Sequence, residues 1–505
     1  MRGTGIGWLV VMMGALLTGP SARAAEISPE SFIERVETSS LRVAPVLSGG
    51  RVGGFEHFSR GFWAKIGGPP RHLFGGDDAF WTPPAALLAL WISPEDLENV
   101  PLVLVDAPLG EGRAVTIRAA DALVQRAGGF LDRGIMRSAA RVEERLRLLG
   151  VAQTDVSLAA WDGASWVSVD DARAPEEVRI AWDEVRSAWI ARDAQRTNAA
   201  LAALADAMEE SASGVSARWK RELEWAMEKW GVFGWCGAAF VLSALCWLVI
   251  GVRSGRTRVQ IGLVVHGVSV GVLFAAFVAR GIVAERLAVQ NQFESMLGLA
   301  LFVGAIGLVW AWRRGSGSLP GAVPEGDPGE VPGAMVGGVS AAGSAVVLIS
   351  ALVGGVPGMT VERESAILSE SGVLGWHVGA MLAGYSAALV GGVAGVLALA
   401  GVRTRGVVRG SVRLAFWLMT LGILLGAYWA DRAWGRWWAW DAKETWSLVT
   451  WCVYLACVHA PQMAGGADER TPRGLAWLAI VGLVSVGWTY LGVNLLMTSL
   501  HSYAG

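Results

Sequence analysis

The sequence predicts a mainly α protein: a polytopic membrane helical bundle of about eight transmembrane helices, preceded by an N-terminal extracytoplasmic α+β domain. Three observations predict it. The 505 residues are 53% apolar and only 17% charged, with mean hydropathy +0.44, against roughly 25% charged in a soluble globular protein. The charge is also unevenly placed, with 56 of the 86 charged residues in 1–230 and the other 30 in 231–505. Within the second part, apolar stretches recur at about the 20-residue length that carries a helix across a hydrocarbon core of about 30 Å. Four cysteines exclude a disulfide scaffold. A net charge of −2 gives no reason to expect nucleic acid as a partner.

Residues 1–25 read as a secretory signal: Arg2, an apolar run from Gly5 to Leu17, and a small-x-small site at Ala22-Arg23-Ala24. An uncleaved anchor is the other reading, and both carry residues 26–230 across the membrane. That domain has no cysteine. Pro101 to Val105 reads as a short buried strand. From Val178 to Trp230 the pattern is helical, with Trp182, Trp189, Leu201 and Leu204 on one apolar face. His57 and His72 lie in turn-rich aromatic sequence and are expected to be ordinary surface or loop histidines.

The expected spans are approximately 232–251, 260–280, 295–312, 336–356, 374–400, 414–430, 446–461 and 475–497. With the N-terminal domain outside, the inner loops carry Arg253, Arg256, Arg258, Arg313, Arg314, Arg403, Arg405, Arg409, Arg413, Arg470 and Arg473. The outer loops carry Arg280, Arg286, Arg363, Arg432, Arg436 and Lys443. An excess of Lys and Arg on the cytoplasmic side is the usual bias. Eight spans with an outside C-terminus agree with it. Residues 315–334, rich in Gly and Pro, read as a flexible cytoplasmic linker.

Tryptophan is the unusual residue, 26 in all, and eight lie between Trp417 and Trp451. Their core is the loop 431–446, with Trp434, Trp437, Trp438, Trp440 and Trp446 interleaved with Asp441, Lys443 and Glu444. An interfacial aromatic belt is the plain explanation. A belt needs neither that density nor those fixed charges, so a platform for a large flat ligand is favoured. Four of six histidines fall in the membrane half. His377 and His501 are placed on the same outer face as the loop, and His266 and His459 near the inner ends of their spans. Ionisable groups in a membrane are costly and usually functional. Paired imidazoles around a flat apolar ligand suggest haem iron with two axial ligands.

These residues resemble the haem-handling tryptophan-rich (WWD) superfamily and, within it, the CcsA (ResC) cytochrome c assembly family of the system II pathway. The stretch Trp434-Gly-Arg-Trp-Trp-Ala-Trp-Asp-Ala-Lys-Glu-Thr-Trp446 is close to the family pattern WGxxWxWDxxExW, with Ala442 where proline is common. Asn291-Gln-Phe-Glu294-Ser295 is similar to the family's N-x-Y-E-S segment, with Phe293 for tyrosine. Trp376-His377-Val resembles its first external histidine site. Tyr490-Leu-Gly-Val-Asn494, followed by Leu500-His501-Ser-Tyr503, resembles its closing segment. His459 matches its intramembrane histidine. The likeness covers about residues 231–505 and leaves 26–230 without a role.

The resemblance implies a protein of the bacterial cytoplasmic (inner) membrane that receives haem b, as substrate and bound ligand, near His459. Haem would then pass to an outer site with His377 and His501 as axial ligands and Trp434, Trp437, Trp438 and Trp440 as the shelf. Apocytochrome c would present CxxCH thiols to the haem vinyl groups in a holocytochrome c synthase (haem lyase) complex, with thiol-reducing proteins acting indirectly. No residue is assigned a catalytic role beyond positioning haem. Arg432 and Arg436 are placed as partners of the haem propionates, with orientation of the loop as the alternative. Asp441, in the family motif, counts with the haem-binding set, though Asp441, Lys443 and Glu444 are expected mainly to hold the loop. Glu294 is open between the two roles. Cys236, Cys246, Cys452 and Cys457 form no CxxC and read as small buried hydrophobes. The second intramembrane ligand comes either from a separate ResB (CcsB)-like partner, which is favoured, or from His266. Two competing functions stand beside the lyase: a haem exporter or chaperone of the same superfamily, and a membrane scaffold that binds no haem.

Overall fold

The computed structural model describes residues 28–48, 51–67, 81–128, 132–213, 215, 217–252, 256–315, 333–354, 359, 361, 372–460 and 471–497. Residues 1–25, expected to be a signal segment, His72, Arg253, Arg363, Arg470, His501 and nearly all of the 315–334 linker lie outside the described residues. The chain divides into two units. The first comprises Met1–Leu41, Trp63–Gln153 and Glu176–Ala207, and the second Arg42–Phe62, Thr154–Pro175 and Met208–Gly505.

In chain order the N-terminal elements are α1 (Pro29–Ile33), β1 (Pro45–Ser48), β2 (Arg51–Gly54), α2 (Phe55–Gly67), α3 (Pro83–Ile92), β3 (Val103–Val105), β4 (Arg113–Val115), α4 (Ile117–Ala127), α5 (Arg133–Thr154), β5 (Ser157–Trp161), β6 (Trp166–Ser168), α6 (Glu176–Ile190), α7 (Ala194–Ser211) and α8 (Arg218–Lys229). In the first unit, Thr82 caps α3 by accepting the Ala85 N–H, and prolines fill its first turn where no amide is needed. Residues 84–90 of α3 are all buried. Trp182, Trp189, Leu201 and Leu204 are buried as the helical pattern requires. Trp189 donates to Ser93 Oγ at 2.9 Å and meets Phe32 edge-on at 5.2 Å.

The second unit begins with an antiparallel sheet in the order β2-β1-β5-β6. Helix α8 is tied to it through charge. Arg221 donates to the Val43 carbonyl at 2.6 Å and pairs with Glu209 at 2.7 Å. The buried Glu224 carboxylate takes Arg51 at 2.7 Å. His57 departs from the ordinary surface or loop histidine expected: it sits in α2, half-buried, with Nδ1 2.6 Å from Glu228 and Nε2 3.3 Å from Glu224. The sequence conceals this because its partners lie some 170 residues away. At Gly231, φ is +55°, and the left-handed residue turns α8 into the membrane segment.

Every expected span coincides with a helix: α9 (Val232–Val252), α10 (Arg256–Ala284), α11 (Gln292–Gly315), α12 (Gly333–Val353), α13 (Gly372–Leu399), α14 (Arg405–Trp434), α15 (Ala442–His459) and α16 (Arg473–Gly487), which continues through a π-helical turn at Trp488–Gly492 to α17 (Val493–Leu496). Seven helices among the described residues are long and apolar enough to cross a membrane, and this is a multi-pass membrane protein. Helix α15 occupies the remaining expected span and is not one of the seven. Its 18 residues carry Lys443 and Glu444 in the first turn, which keeps it outside the seven, yet it packs between α14 and α16. Two apolar cores form, one among α9–α12 and one among α13–α16 with an edge of α12. Cys236 and Cys457 are buried, Cys246 is half-buried and Cys452 is exposed; Cys452 therefore departs from the buried role expected for it.

Candidate functional site

The tryptophan loop is shaped from both ends by local chemistry. Helix α14 stops at Trp434 because Gly435 adopts φ +69° and its N–H returns to the Asp431 carbonyl at 2.8 Å. Helix α15 starts with Asp441 as its cap. The Glu444 N–H donates to Asp441 Oδ1 at 2.8 Å and the Asp441 N–H to Glu444 Oε2 at 3.3 Å, a reciprocal capping box. The same Glu444 oxygen also accepts the Ala439 N–H at 2.7 Å. Between those two amides stands Trp440 at φ +58°, a left-handed conformation that costs an aromatic L residue about 1–3 kcal/mol.

This frame displays the indoles. Trp437 and Trp440 are 57% and 69% exposed, and Trp434 and Trp438 are half-buried. The rings meet edge to face: Trp438 with Trp440 at 5.9 Å, Trp434 with buried Trp429 at 4.8 Å, and Trp437 with Tyr428 at 6.1 Å. The buried Trp438 Nε1 has no hydrogen-bond partner among the described residues. Arg432 and Arg436 are exposed. Arg432 donates to Tyr428 Oη at 2.7 Å and lies over its ring at 5.1 Å. Asp441 is engaged in capping.

His377 is held by a groove in the neighbouring helix. Helices α13 and α14 run antiparallel, with Gly391 against Ser411, Gly384 against Met419, Met381 against Gly422 and His377 against Gly426. The two glycines Gly422 and Gly426, four residues apart, let the imidazole lie on the α14 backbone. Its Nδ1 is 2.7 Å from the Gly422 carbonyl, which only accepts, so Nδ1 carries the proton and Nε2 is the basic nitrogen. Donation of one ring nitrogen to a carbonyl, leaving the other basic, is the usual arrangement behind a metal-binding histidine.

The other histidines differ in kind. His459 ends α15 and is exposed, with Nδ1 3.0 Å from the Leu455 carbonyl. Trp451 packs on Phe416 and donates to Thr420, so His459, eight residues on, stands level with about residue 410 of α14. At 1.5 Å per residue, that is on the order of 20 Å along α14 from the level of His377. His266 is fully buried. Trp247 Nε1 donates to its Nδ1 at 3.1 Å, and its Nε2 donates to the Gly304 carbonyl at 3.1 Å. Both ring nitrogens are therefore committed within the α9–α12 core, between Phe240 and Trp247. His501 lies outside the described residues.

Several residues that hold the site carry weaker signals in the sequence. Asn291 caps α11 by accepting the Glu294 N–H at 2.9 Å. The Glu294 carboxylate, fully buried, takes Arg280 at 3.2 Å, Arg286 at 2.5 Å and the Gln290 N–H at 3.1 Å, so its role is structural. Ser295 bonds Tyr490 Oη at 2.7 Å. Lys443 donates to Asn494 Oδ1 at 3.0 Å, and Asn494 Nδ2 donates to Gln292 Oε1 at 3.2 Å. The three polar motifs, 291–295, 441–444 and 490–494, are thus one bonded network. Deeper between α15 and α16, Thr450 bonds both Ser485 and Thr489. The Gly-xxx-Gly spacing at 422–426 and the Asp-x-x-Glu spacing at 441–444 are the sequence signals that could have found the groove and the capping box; the partners of Glu294 and Lys443 have none.

Comparison with known proteins concentrates on this part of the chain. Residues 333–501, a third of the chain, match the family model of the Cytochrome C assembly protein. Curated relatives include a Cytochrome c biogenesis protein CcsA from Gloeobacter violaceus, 53% identical over 92 residues, which are 18% of this chain and 26% of the relative. A protein of the same description from a Synechococcus strain is 47% identical over 93 residues, 18% of this chain and 29% of the relative. One from Prochlorococcus marinus is 46% identical over 93 residues, covering 18% and 28%. The match thus spans less than a third of these relatives' length.

Proposed function

We propose, from the premise that residues 333–501 are a cytochrome c assembly region of the CcsA type, that this protein works in cytochrome c maturation by carrying haem to an apocytochrome and holding it for attachment. The observation that carries the reading is His377: an imidazole whose Nδ1–H is fixed by the Gly422 carbonyl, with Nε2 as the basic nitrogen, on the helix packed against the one that leads into the tryptophan loop.

Haem b is the substrate and bound ligand in this reading. His459 receives it at the far end of α15, and His377 and His501 ligate its iron at the loop. Trp434, Trp437, Trp438 and Trp440 stack on the macrocycle, and Arg432 and Arg436 pair with its propionates. Asp441 serves as scaffold. His266 is a packing residue, since both its nitrogens are spent, and a ResB (CcsB)-like membrane partner supplies the second ligand opposite His459. Two-point ligation and stacking orient the vinyl groups toward the incoming CxxCH thiols, so the chain contributes positioning. The loop, the N-terminal domain of residues 26–230 and the C-terminus face outside the cytoplasm, in the bacterial inner membrane, and residues 1–25 are the signal peptide.

The test is the absorption spectrum of the purified protein beside His377→Ala and His501→Ala. A haem spectrum altered in both variants is the expected result. Purification with no Soret band, under conditions that retain haem on related proteins, defeats the haem reading in favour of a scaffold. Co-expression with a CxxCH apocytochrome then separates lyase from exporter: covalent haem on the cytochrome is expected, and bound haem without it supports the exporter.

A further inference from the structure

We propose that Glu444 is a positioning residue whose carboxylate holds Trp440 in its left-handed conformation and so presents the Trp440 indole to the ligand of the loop. Its ligand half rests on the haem reading above.

An ordinary capping box needs Glu444 to take one amide, that of the cap residue Asp441. Here that bond is the longer one, 3.3 Å, and the shorter, 2.7 Å, goes to Ala439, outside the helix. A single oxygen, Oε2, therefore bridges the amides on either side of Trp440. Drawing residues 439 and 441 onto one atom leaves the intervening residue to absorb the bend, and it does so at φ +58°. Asn, Asp or Gly would take that conformation at little cost; this position carries tryptophan. The bend also places the indole 69% exposed, edge-on to Trp438 at 5.9 Å, rather than packing it into the core. A place in an interfacial belt accounts for an exposed indole but not for the left-handed backbone beneath it, and local strain maintained by its surroundings is characteristic of ligand clamps.

The clamp is tested without haem by comparing Trp440→Gly with Trp440→Ala. Both remove the indole, and only alanine keeps the penalty for positive φ. In the otherwise native protein the glycine variant should melt higher, by on the order of 2 °C. In a Glu444→Ala background the bend relaxes and the order should reverse, because alanine then loses less chain entropy. Presentation is tested by haem retention and the absorption spectrum. Glu444→Ala and Trp440→Ala should each weaken retention about tenfold, the double variant no further, and Glu444→Gln, which keeps an acceptor oxygen, should restore it. The proposal is overturned if alanine outlasts glycine in the native background, if the order does not reverse, or if the two losses add. A wild-type protein that carries no haem ends the presentation half together with the haem reading, while the glycine–alanine order still decides the clamp.

Discussion

Replacing Gly426 with alanine should act on His377 while leaving that residue itself unchanged. A Cβ at position 426 falls 2.5 Å from Cε1 and 2.6 Å from Nδ1 of the imidazole, whereas carbon atoms in comfortable contact stand about 3.5–4.0 Å apart. The ring must retreat by about 1 Å. Its 2.7 Å bond to the Gly422 carbonyl then lengthens to about 3.7 Å, where no hydrogen bond remains. Loss of that bond costs about 0.5–1.5 kcal/mol in stability. Loss of the partner that orients a metal-binding histidine lowers metal affinity by about 10–100-fold. Gly379→Ala is the matched control, because nothing lies within 4 Å of its Cβ position and it shares α13 with His377. The assay is the haem-to-protein ratio and the positions of the Soret and α bands after purification. Gly426→Ala should show the defect of His377→Ala, with added imidazole restoring the spectrum, and Gly379→Ala should match the native protein. A Gly426→Ala protein with native haem content and bands would refute the account of how His377 is held.

Three further outcomes are expected. His266→Leu leaves the Trp247 indole N–H unpaired in the α9–α12 core and removes the bond that the Gly304 carbonyl makes outside its own helix, which should cost about 1–3 kcal/mol in thermal unfolding while the haem bands stay unchanged; altered bands would make His266 a ligand after all. Glu294→Gln strips the carboxylate from between Arg280 and Arg286, and a buried pair broken on one side costs about 3–5 kcal/mol, readable as a lower melting temperature in detergent. Asn494→Ala cuts the link from Lys443 to Gln292; each bond contributes about 0.5–1.5 kcal/mol, and limited proteolysis should find the 435–441 loop more readily cleaved than in the native protein.

The helical bundle was legible because apolar length is a local property. All eight expected spans became helices, and the buried faces of α6 and α7 followed from their periodicity. The capping box was equally local, since Asp441 and Glu444 stand three residues apart. The partners of His57, expected as an ordinary surface or loop histidine, were not legible for the opposite reason: its carboxylates arrive from α8. The depth match of His266 with His459 made the two look alike, and only packing separates them. One has both nitrogens bonded inside a core, and the other stands exposed at a helix end.

By itself the sequence determined a charged N-terminal part, a membrane bundle, and a tryptophan loop accompanied by a few histidines, because composition and spacing act within a few turns of chain. Tertiary structure decided which imidazole lies against a carbonyl, which carboxylate bends Trp440, and which polar motifs become one network. Those outcomes depend on the antiparallel register of α13 on α14 and on α17 meeting the start of α15. A hydrogen bond exists only where two distant segments are brought within about 3 Å, and no local pattern specifies that distance.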